Sequence, residues 1–450
     1  MTSKPGIPES LLVAVMLLVG VFVSRYSPHM VPDTLSYSQF PLGSLTSALN
    51  NSRTPGYPLL LAGVRMVSAD YAALPLIQYA IWCLAVCCFW WGLGSMQIGR
   101  AYRAWICIPL LFADVLHRNV DTIATDSVAS ATCVALVGCL IRFVSAEQFR
   151  LRLVLVISAL CLAACLIRPA SLFLIVFVPG VGAILAANWR AGLQRGALLL
   201  GAVSAPVLGY CLLRWLVIGQ FGLVSFGGQN LIGIAGQWLD ESAITKLSNE
   251  CQPLARLALK RQIAWERDHP LRPDQNRQQY LVMEERYDPY IWFIFEPAAR
   301  EHFQNDPARV NAGLRQLAQE LIRIAPRNYL IWLGKASRQA IRVVAVQLAS
   351  NPFVILCALV WGAGELTRLR PDCKWQCDVE FPKADRFSAT ILLIAGLFLV
   401  LSTGLIVLVC TPIGRLMDAA AVFVPLVFAD RAARTWRRLS LTAAVPSPGR

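Results

Sequence analysis

The chain has 450 residues, of which 56% are hydrophobic and only 15% are charged, with a mean hydropathy of +0.54. In a soluble domain about a quarter of the residues are charged, so this composition excludes a soluble enzyme. Repeated apolar runs near 20 residues predict an all-α polytopic membrane protein. The net charge of +14 therefore indicates basic cytoplasmic loops that face anionic membrane lipids, and no nucleic-acid partner.

About ten spans are predicted in chain order. The first, near 10–24, has no small-residue cleavage site after it and is interpreted as a retained anchor. The others lie near 74–93, 104–116, up to 144, 153–167, 171–187, up to 218, 341–362, 389–410 and up to 429. This order predicts a transmembrane core over 1–218 with a first outer loop at 25–73, a polar region over 219–338, and C-terminal helices with a basic tail over 339–450.

The distribution of arginine and lysine predicts the orientation. The loops after the second, fourth, sixth and eighth spans and the tail at 431–438 are basic, whereas the alternate loops keep mostly single arginines. The positive-inside rule then places both termini in the cytoplasm of a bacterial inner membrane. The first outer loop, the turn at 117–126, Arg168, the polar region and Arg415 all fall on the periplasmic face.

The first outer loop contains the stretch RTPGYPLLLA at 53–62. Proline removes a backbone donor and glycine frees the backbone, so Pro55 and Gly56 interrupt its start. The apolar residues that follow at roughly helical spacing predict a short helix at the membrane surface, with Leu59, Leu60, Leu61, Val64 and Val67 on its apolar face. An acid at Asp33, an arginine at Arg53 and this helix favour a site for an amphiphilic, anionic substrate.

The 14 cysteines lie mostly within apolar runs, where cysteine packs as a small hydrophobe. Cys373 and Cys377 form a CxxxC pair without a nearby histidine, which is weak evidence for a metal site. His117 has no partner at metal-ligand spacing and is interpreted as structural. We assign no metal ligand, and the participation of a divalent metal stays open.

Several motifs together resemble the GT-C superfamily of membrane glycosyltransferases, in particular its protein O-mannosyltransferase-like and aminoarabinose-transferase-like bacterial members. They are Asp33-x-x-x-Tyr37, RTPGYPLLLA at 53–62, Thr125-Asp126, Pro326-Arg327-Asn328-Tyr329 with Trp332, and Gly414-Arg415. The resemblance covers the first 190 residues or so well, the final spans loosely and the polar region hardly at all. It implies a GT-C-like bundle with interfacial helices and a periplasmic region. It also implies transfer of a sugar from a polyprenyl-phosphate donor to an acceptor.

The resemblance implies that Asp33 is the catalytic base and that Asp126 is a second acid of the site. The chemistry agrees, because displacing a polyprenyl phosphate from an anomeric carbon needs a base for the acceptor hydroxyl and cations for the leaving phosphate. A partly dehydrated pocket is expected to raise the pKa of Asp33. The candidate substrate-binding residues are Arg53, Arg168 and Arg415 for phosphate, and Tyr37 and Tyr57 for the sugar.

Each of these residues also has a structural interpretation. Asp33 follows Pro32 as a turn-forming residue would, and Asp126 is placed to cap the fourth span. Arg168 and Arg415 are placed to snorkel to the interface, and the two tyrosines to join an aromatic belt. Arg53 either binds phosphate or pairs with Asp33.

We therefore predict a hexosyl- or pentosyltransferase that inverts the anomeric carbon and acts on a lipid, glycan or protein acceptor. The chain has no P-loop and no dinucleotide fingerprint, which argues against nucleotide-driven cytoplasmic chemistry. The alternatives are a transporter or flippase for lipid-linked glycans, and a non-catalytic binder of polyprenyl-linked glycans. The second stays open because Thr34, rather than another acid, follows Asp33.

Overall fold

The computed structural model describes residues 7–146, 150–186, 188–368 and 382–443, and within these ranges the chain is helical and has no strand. Cys373 and Cys377 lie outside the described residues. The α-helices are Ile7–Val23, Thr34–Ser38, Leu45–Asn50, Gly56–Val67, Leu74–Leu93, Arg100–Leu111, Asp114–Asn119, Asp126–Val144, Leu151–Ile167, Leu174–Ile184, Trp189–Ile218, Gly227–Ala235, Glu241–Ile244, Gln252–Asp268, Tyr280–Pro289, Glu296–His302, Pro307–Ile324, Pro326–Ser350, Pro352–Arg368, Pro382–Val409, Gly414–Ala420 and Val424–Ala443. Three 3₁₀ segments, Gly94–Met96, Pro169–Phe173 and Gly236–Trp238, and a π-helix at Tyr290–Phe295 complete them.

Four helices are long and apolar enough to cross a membrane: Leu74–Met96, Asp126–Val144, Trp189–Ile218 and Asp385–Val409. A fifth span results if Pro326–Ser350 and Pro352–Thr367, which meet at an angle of 81°, are counted together. Shorter apolar helices correspond to the first, fifth and sixth predicted spans. Together with the many large apolar side chains exposed along these helices, this confirms the predicted all-α polytopic membrane protein.

Close helix contacts through glycine hold the centre of the bundle. A Cβ at Gly138 would lie 2.6 Å from the carbonyl oxygen of Cys88, so only glycine permits this approach. Trp82, on the same helix as Cys88, has a fully buried side chain and donates from Nε1 to the carbonyl of Leu110 at 2.9 Å. The helix that begins at Asp126 is largely buried in this core.

Two predicted boundaries need correction. The third predicted span is interrupted, because helix Arg100–Leu111 ends before a separate short helix, Asp114–Asn119, begins. The predicted basic tail is part of helix Val424–Ala443, and its Arg434 pairs with Asp385 at 2.7 Å. Arginine at the end of a helix is compatible with helical structure, so charge alone did not mark the boundary.

The surface helix forms at Gly56–Val67, but its buried face is rotated from the predicted one. Tyr57, Pro58, Leu61 and Val64 are buried, whereas Leu59 and Val67 are exposed. The buried set recurs at helical spacing, with Tyr57 in the first turn as its start. The prediction counted only the aliphatic residues and therefore did not include Tyr57.

The polar region is built from helices around a core of its own. It includes the amphipathic helix Pro307–Ile324, which buries Val310, Leu314, Leu317 and Leu321. Helix Pro326–Ser350 then continues from the polar region into the apolar bundle. Its Trp332, from the motif noted above, is fully buried and donates from Nε1 to the carbonyl of Val407 at 3.0 Å, which fixes the polar region against helix Pro382–Val409.

Candidate functional site

The first loop and the turn before Asp126 are joined by backbone hydrogen bonds. The amide of His29 donates to the carbonyl of Asp121 at 2.7 Å, and the amide of Ile123 donates back to His29 at 2.9 Å. The hydroxyl of Thr34 donates to the carbonyl of Ile123 at 3.2 Å. The residue after Asp33 is therefore tied to the segment that leads into Asp126.

Gly56 brings the RTPGYP stretch against the end of helix Leu151–Ile167. A Cβ at Gly56 would lie 2.6 Å from the backbone of Leu166 and 2.7 Å from the backbone nitrogen of Ile167. Backbone atoms cannot give way cheaply, so the approach requires glycine. The residue that follows this helix end is Arg168.

Asp33 lies between two arginines that are far apart in the sequence. Its Oδ1 accepts a hydrogen bond from Nη2 of Arg53 at 2.7 Å, and its Oδ2 accepts one from Nη2 of Arg415 at 2.8 Å. The side chain of Asp33 makes no capping bond to the helix that follows it. Its carboxylate therefore binds the two arginines and does not stabilise the turn. The side chains are 25% exposed for Asp33, 20% for Arg53 and 38% for Arg415.

The two arginines reverse the expected effect on the pKa of Asp33. Burial raises this pKa, but the charges and hydrogen bonds of Arg53 and Arg415 outweigh burial and lower it below its ordinary value. The expectation of a raised pKa is therefore wrong for this state of the chain, because opposite charges at hydrogen-bond distance favour the ionised form. Asp33 is a carboxylate whose basicity is held down by its partners.

Aromatic rings and a hydroxyl fix the side chain of Arg53. Its Nε donates to Oγ of Ser36 at 2.9 Å, and its guanidinium lies 5.0 Å from the ring centre of Tyr37 and 5.5 Å from that of Phe226. The ring of Tyr37 meets that of Tyr57 edge to face, with 5.3 Å between centroids. Cation–π contact and the hydrogen bond therefore orient the guanidinium toward Asp33.

A second acid–base pair lies beside the first. Nη1 of Arg168 donates to Oδ1 of Asp126, and both side chains are largely buried. Asp126 is the first residue of its helix, and its neighbour Thr125 makes no side-chain capping bond. Arg415 also interacts electrostatically with Asp126. Burial lowers the pKa of Arg415, but the carboxylates of Asp126 and Asp33 outweigh burial and raise it.

The structure thus brings all seven predicted site residues into one cluster. Asp33 is surrounded by Tyr37, Arg53, Tyr57 and Arg415, and Asp126 is paired with Arg168. Three contributions were missed. Phe226 and Asp288 come from a part of the polar region that holds none of the motifs, and Asp288 interacts electrostatically with both Arg415 and Asp33. The third is a pair between Arg118 and Asp418, whose members are 300 residues apart and share no local pattern.

A buried arginine anchors the wall of the first loop. Arg214, at the end of helix Trp189–Ile218, donates from Nε to the carbonyl of Leu49 at 2.9 Å and from Nη2 to Oγ of Ser225 at 2.8 Å. A charge buried this deeply needs such partners. It joins the first loop to the segment that carries Phe226. Among the described residues, no group of three or more His, Cys, Asp or Glu side chains is placed to hold a metal ion.

No protein-family model matches the chain, and no curated protein matches it. Two solved structures of ArnT from Cupriavidus metallidurans align with it, one bound to undecaprenyl phosphate and one in the apo state. The alignments cover 96% and 95% of this chain and 78% and 76% of those chains, with 14% identity and a TM-score of 0.35 in both.

Proposed function

We propose that this chain is a glycosyltransferase that moves a sugar from a polyprenyl-phosphate donor to a lipid, glycan or protein acceptor. The reaction takes place on the periplasmic face of the bacterial inner membrane, and both termini lie in the cytoplasm. The observation that carries the proposal is the position of Asp33, which shares its two carboxylate oxygens between Arg53 and Arg415.

This arrangement suits a leaving phosphate. Arginine forks match phosphate oxygens as well as they match a carboxylate. Arg53 and Arg415 remain 20% and 38% exposed, so an incoming phosphate reaches them without unfolding the site. The phosphate then replaces Asp33 as their counter-charge, and the arginines stabilise the negative charge that develops as the phosphate leaves.

The same exchange turns Asp33 into a base. Arg53 and Arg415 lower its pKa in the free chain, and their transfer to phosphate removes that effect while burial remains. The acceptor hydroxyl oxygen forms a bond to the anomeric carbon, and the bond from that carbon to the phosphate oxygen breaks. The hydroxyl proton moves to Asp33, and the polyprenyl phosphate leaves with the electron pair. A single displacement of this kind inverts the anomeric carbon.

The second pair supports the first. Arg168 is held by Asp126 and supplies further positive charge beside Tyr37, with which it interacts electrostatically. Burial raises the pKa of Tyr37 and of Tyr57, so both hydroxyls stay protonated, and the two buried rings, which pack edge to face, give the site a neutral wall. We assign no step to a metal.

A non-catalytic binder of polyprenyl-linked glycans is the second candidate function. One observation favours it: the lowered pKa of Asp33, which suits an anion-exchange site without proton transfer. The two candidates bind the same lipid, so only turnover separates them.

The experiment measures sugar transfer from undecaprenyl phosphate carrying a radiolabelled pentose or hexose, with purified wild type and Asp33→Asn. We expect the substitution to lower turnover by about 10²- to 10⁴-fold, the usual contribution of a general base, while lipid binding persists. Asp70→Asn is the matched control, because Asp70 lies in the same loop and, within the described ranges, its side chain accepts hydrogen bonds from Ser68 and Ala72. Equal turnover by wild type and Asp33→Asn would exclude Asp33 as the base. Binding without turnover by wild type would favour the second candidate.

A further inference from the structure

Asp418 is a buried carboxylate without a hydrogen bond. It lies in helix Gly414–Ala420, and its side chain is 1% exposed. Neither of its carboxylate oxygens accepts a hydrogen bond from any residue in the described ranges. A buried carboxylate normally requires hydrogen-bond donors to offset the loss of water.

The other buried acids of the described ranges differ from Asp418 in this respect. Asp126 accepts a hydrogen bond from Arg168, Asp430 from two hydroxyl groups, and Glu296 from Arg300 at 2.6 Å. Asp418 has only an ion-pair neighbour, Nη1 of Arg118, at 3.8 Å. This distance is too long for a hydrogen bond. The unsatisfied state of Asp418 is therefore a property of its place and not of buried acids in general.

Arg118 completes a pair of complementary, unused groups. Its side chain is 51% exposed, and it lies in the short helix Asp114–Asn119, which packs against helix Gly414–Ala420. Arg118 offers donors and Asp418 offers acceptors, but the two do not meet. A group that both accepts and donates would satisfy both side chains if it entered between them, and the exposed side chain of Arg118 has room to move outward to admit it.

The pair lies beside the proposed reaction site. Asp418 is three residues after Arg415 and therefore on the same side of the helix. It also interacts electrostatically with Asp126. The adjoining face of this helix, through Leu416 and Ala419, lines a small cavity of about 30 Å³ next to Arg168. The same short helix thus carries one phosphate-binding residue and one unsatisfied acid.

We propose that Arg118 and Asp418 form a subsite for one hydroxyl group of the donor sugar, which accepts a hydrogen bond from Arg118 and donates one to Asp418. A hydroxyl is the neutral group that is both donor and acceptor, and a sugar presents several of them. This inference rests on the proposed function, because it assigns a contact to the sugar whose phosphate binds Arg53 and Arg415. Asp418 and Arg118 are then specificity-determining residues rather than proton-transfer groups.

The test compares phosphodiester lipids that carry the same charge and differ in the sugar. The dissociation constants of the purified full chain are measured for the methyl ester of undecaprenyl phosphate, which carries no sugar, and for undecaprenyl phosphate linked to a pentose or, separately, to a hexose. We expect wild type to bind a sugar-bearing lipid about tenfold more tightly, the value of a hydrogen bond to charged partners. Asp418→Asn and Arg118→Gln should each lose this preference and keep wild-type affinity for the methyl ester.

Asp121→Asn is the matched control, because Asp121 lies three residues after Arg118 and only its backbone carbonyl is used by His29. It should keep the sugar preference. The inference is overturned if wild type shows no preference for either sugar-bearing lipid, or if Asp418→Asn keeps it. It is also overturned if Asp418→Asn weakens the binding of both lipids equally, since that result indicates a structural role. Failure of wild type to bind either lipid would instead contradict the proposed function.

Discussion

Asp430 and Asp33 each have several polar partners, but their side chains differ in exposure to solvent. Asp430 in helix Val424–Ala443 accepts hydrogen bonds from the hydroxyls of Tyr102 and Ser388 and lies 3.6 Å from Nε of Arg434. Asp33 lies between Arg53 and Arg415. The side chain of Asp430 is 3% exposed, whereas that of Asp33 is 25% exposed.

The difference lies in which elements the partners come from. The hydroxyls on Asp430 belong to two further helices, Arg100–Leu111 and Pro382–Val409, so this acid joins three helices in a closed network. The partners of Asp33 come from a loop and from the first turn of the short helix Gly414–Ala420. Closed polar networks stabilise one arrangement, whereas an open one can exchange partners with a ligand. We therefore expect Asp430 to stabilise the fold and Asp33 to take part in ligand binding.

The largest expected difference is in stability. Asp430→Ala leaves two buried hydroxyls without their acceptor and removes one ion-pair partner of Arg434, which keeps Asp385, so we expect a loss of about 2–4 kcal/mol. Asp33→Ala removes partly exposed ion pairs and should cost about 1 kcal/mol or less. Thermal unfolding of the two variants in the same detergent checks this. Equal shifts in Tm for the two variants would contradict this difference between Asp430 and Asp33. The Tm of Asp430→Ser, which keeps one polar atom, should lie between those of Asp430→Ala and wild type.

A smaller effect concerns affinity for the carrier. Asp33→Asn removes the negative charge that competes with phosphate for Arg53 and Arg415, so undecaprenyl phosphate should bind about tenfold more tightly, a gain of about 1.4 kcal/mol. Asp430→Asn, which is remote from these arginines in the network of contacts, should leave the affinity unchanged. Weaker binding by Asp33→Asn would show that Asp33 contacts the lipid directly instead of competing for its partners.

Local patterns predicted part of this site and could not predict the rest. Asp33, Arg53 and Gly56 were identifiable because they share one loop whose proline, glycine and arginine are unusual between two spans. The contact between Asp33 and Arg415 joins residues 382 positions apart, and no spacing rule reaches that far. The resemblance to a family placed Arg415 in the site, but the geometry was needed to show that it lowers the pKa of Asp33.

The fold shows the same limit. Apolar runs located the membrane helices, because a span needs a run of about 20 apolar residues. They did not locate the break between Arg100–Leu111 and Asp114–Asn119, and it is this break that places Arg118 opposite Asp418. No motif marked Phe226, since it contributes a ring over Arg53 and such a contact leaves no signature in a sequence.

The smallest expected effect is on how the stability contributed by Asp33 depends on pH. Arg53 and Arg415 lower the pKa of Asp33 in the folded chain. The ion pairs therefore contribute to stability in full above the unfolded value of about 3.9, and the contribution is lost as the pH falls through the lower folded value. The difference in Tm between wild type and Asp33→Asn should stay constant from about pH 8 to pH 5 and shrink only in stronger acid.

Bound lipid should move this window. If undecaprenyl phosphate takes both arginines, burial alone acts on Asp33 and its pKa rises, so the difference in Tm between wild type and Asp33→Asn should begin to change at a higher pH than in the free protein. A curve that is the same with and without lipid would mean that Arg53 and Arg415 keep Asp33 as their partner. In that case the site would be as closed as that of Asp430.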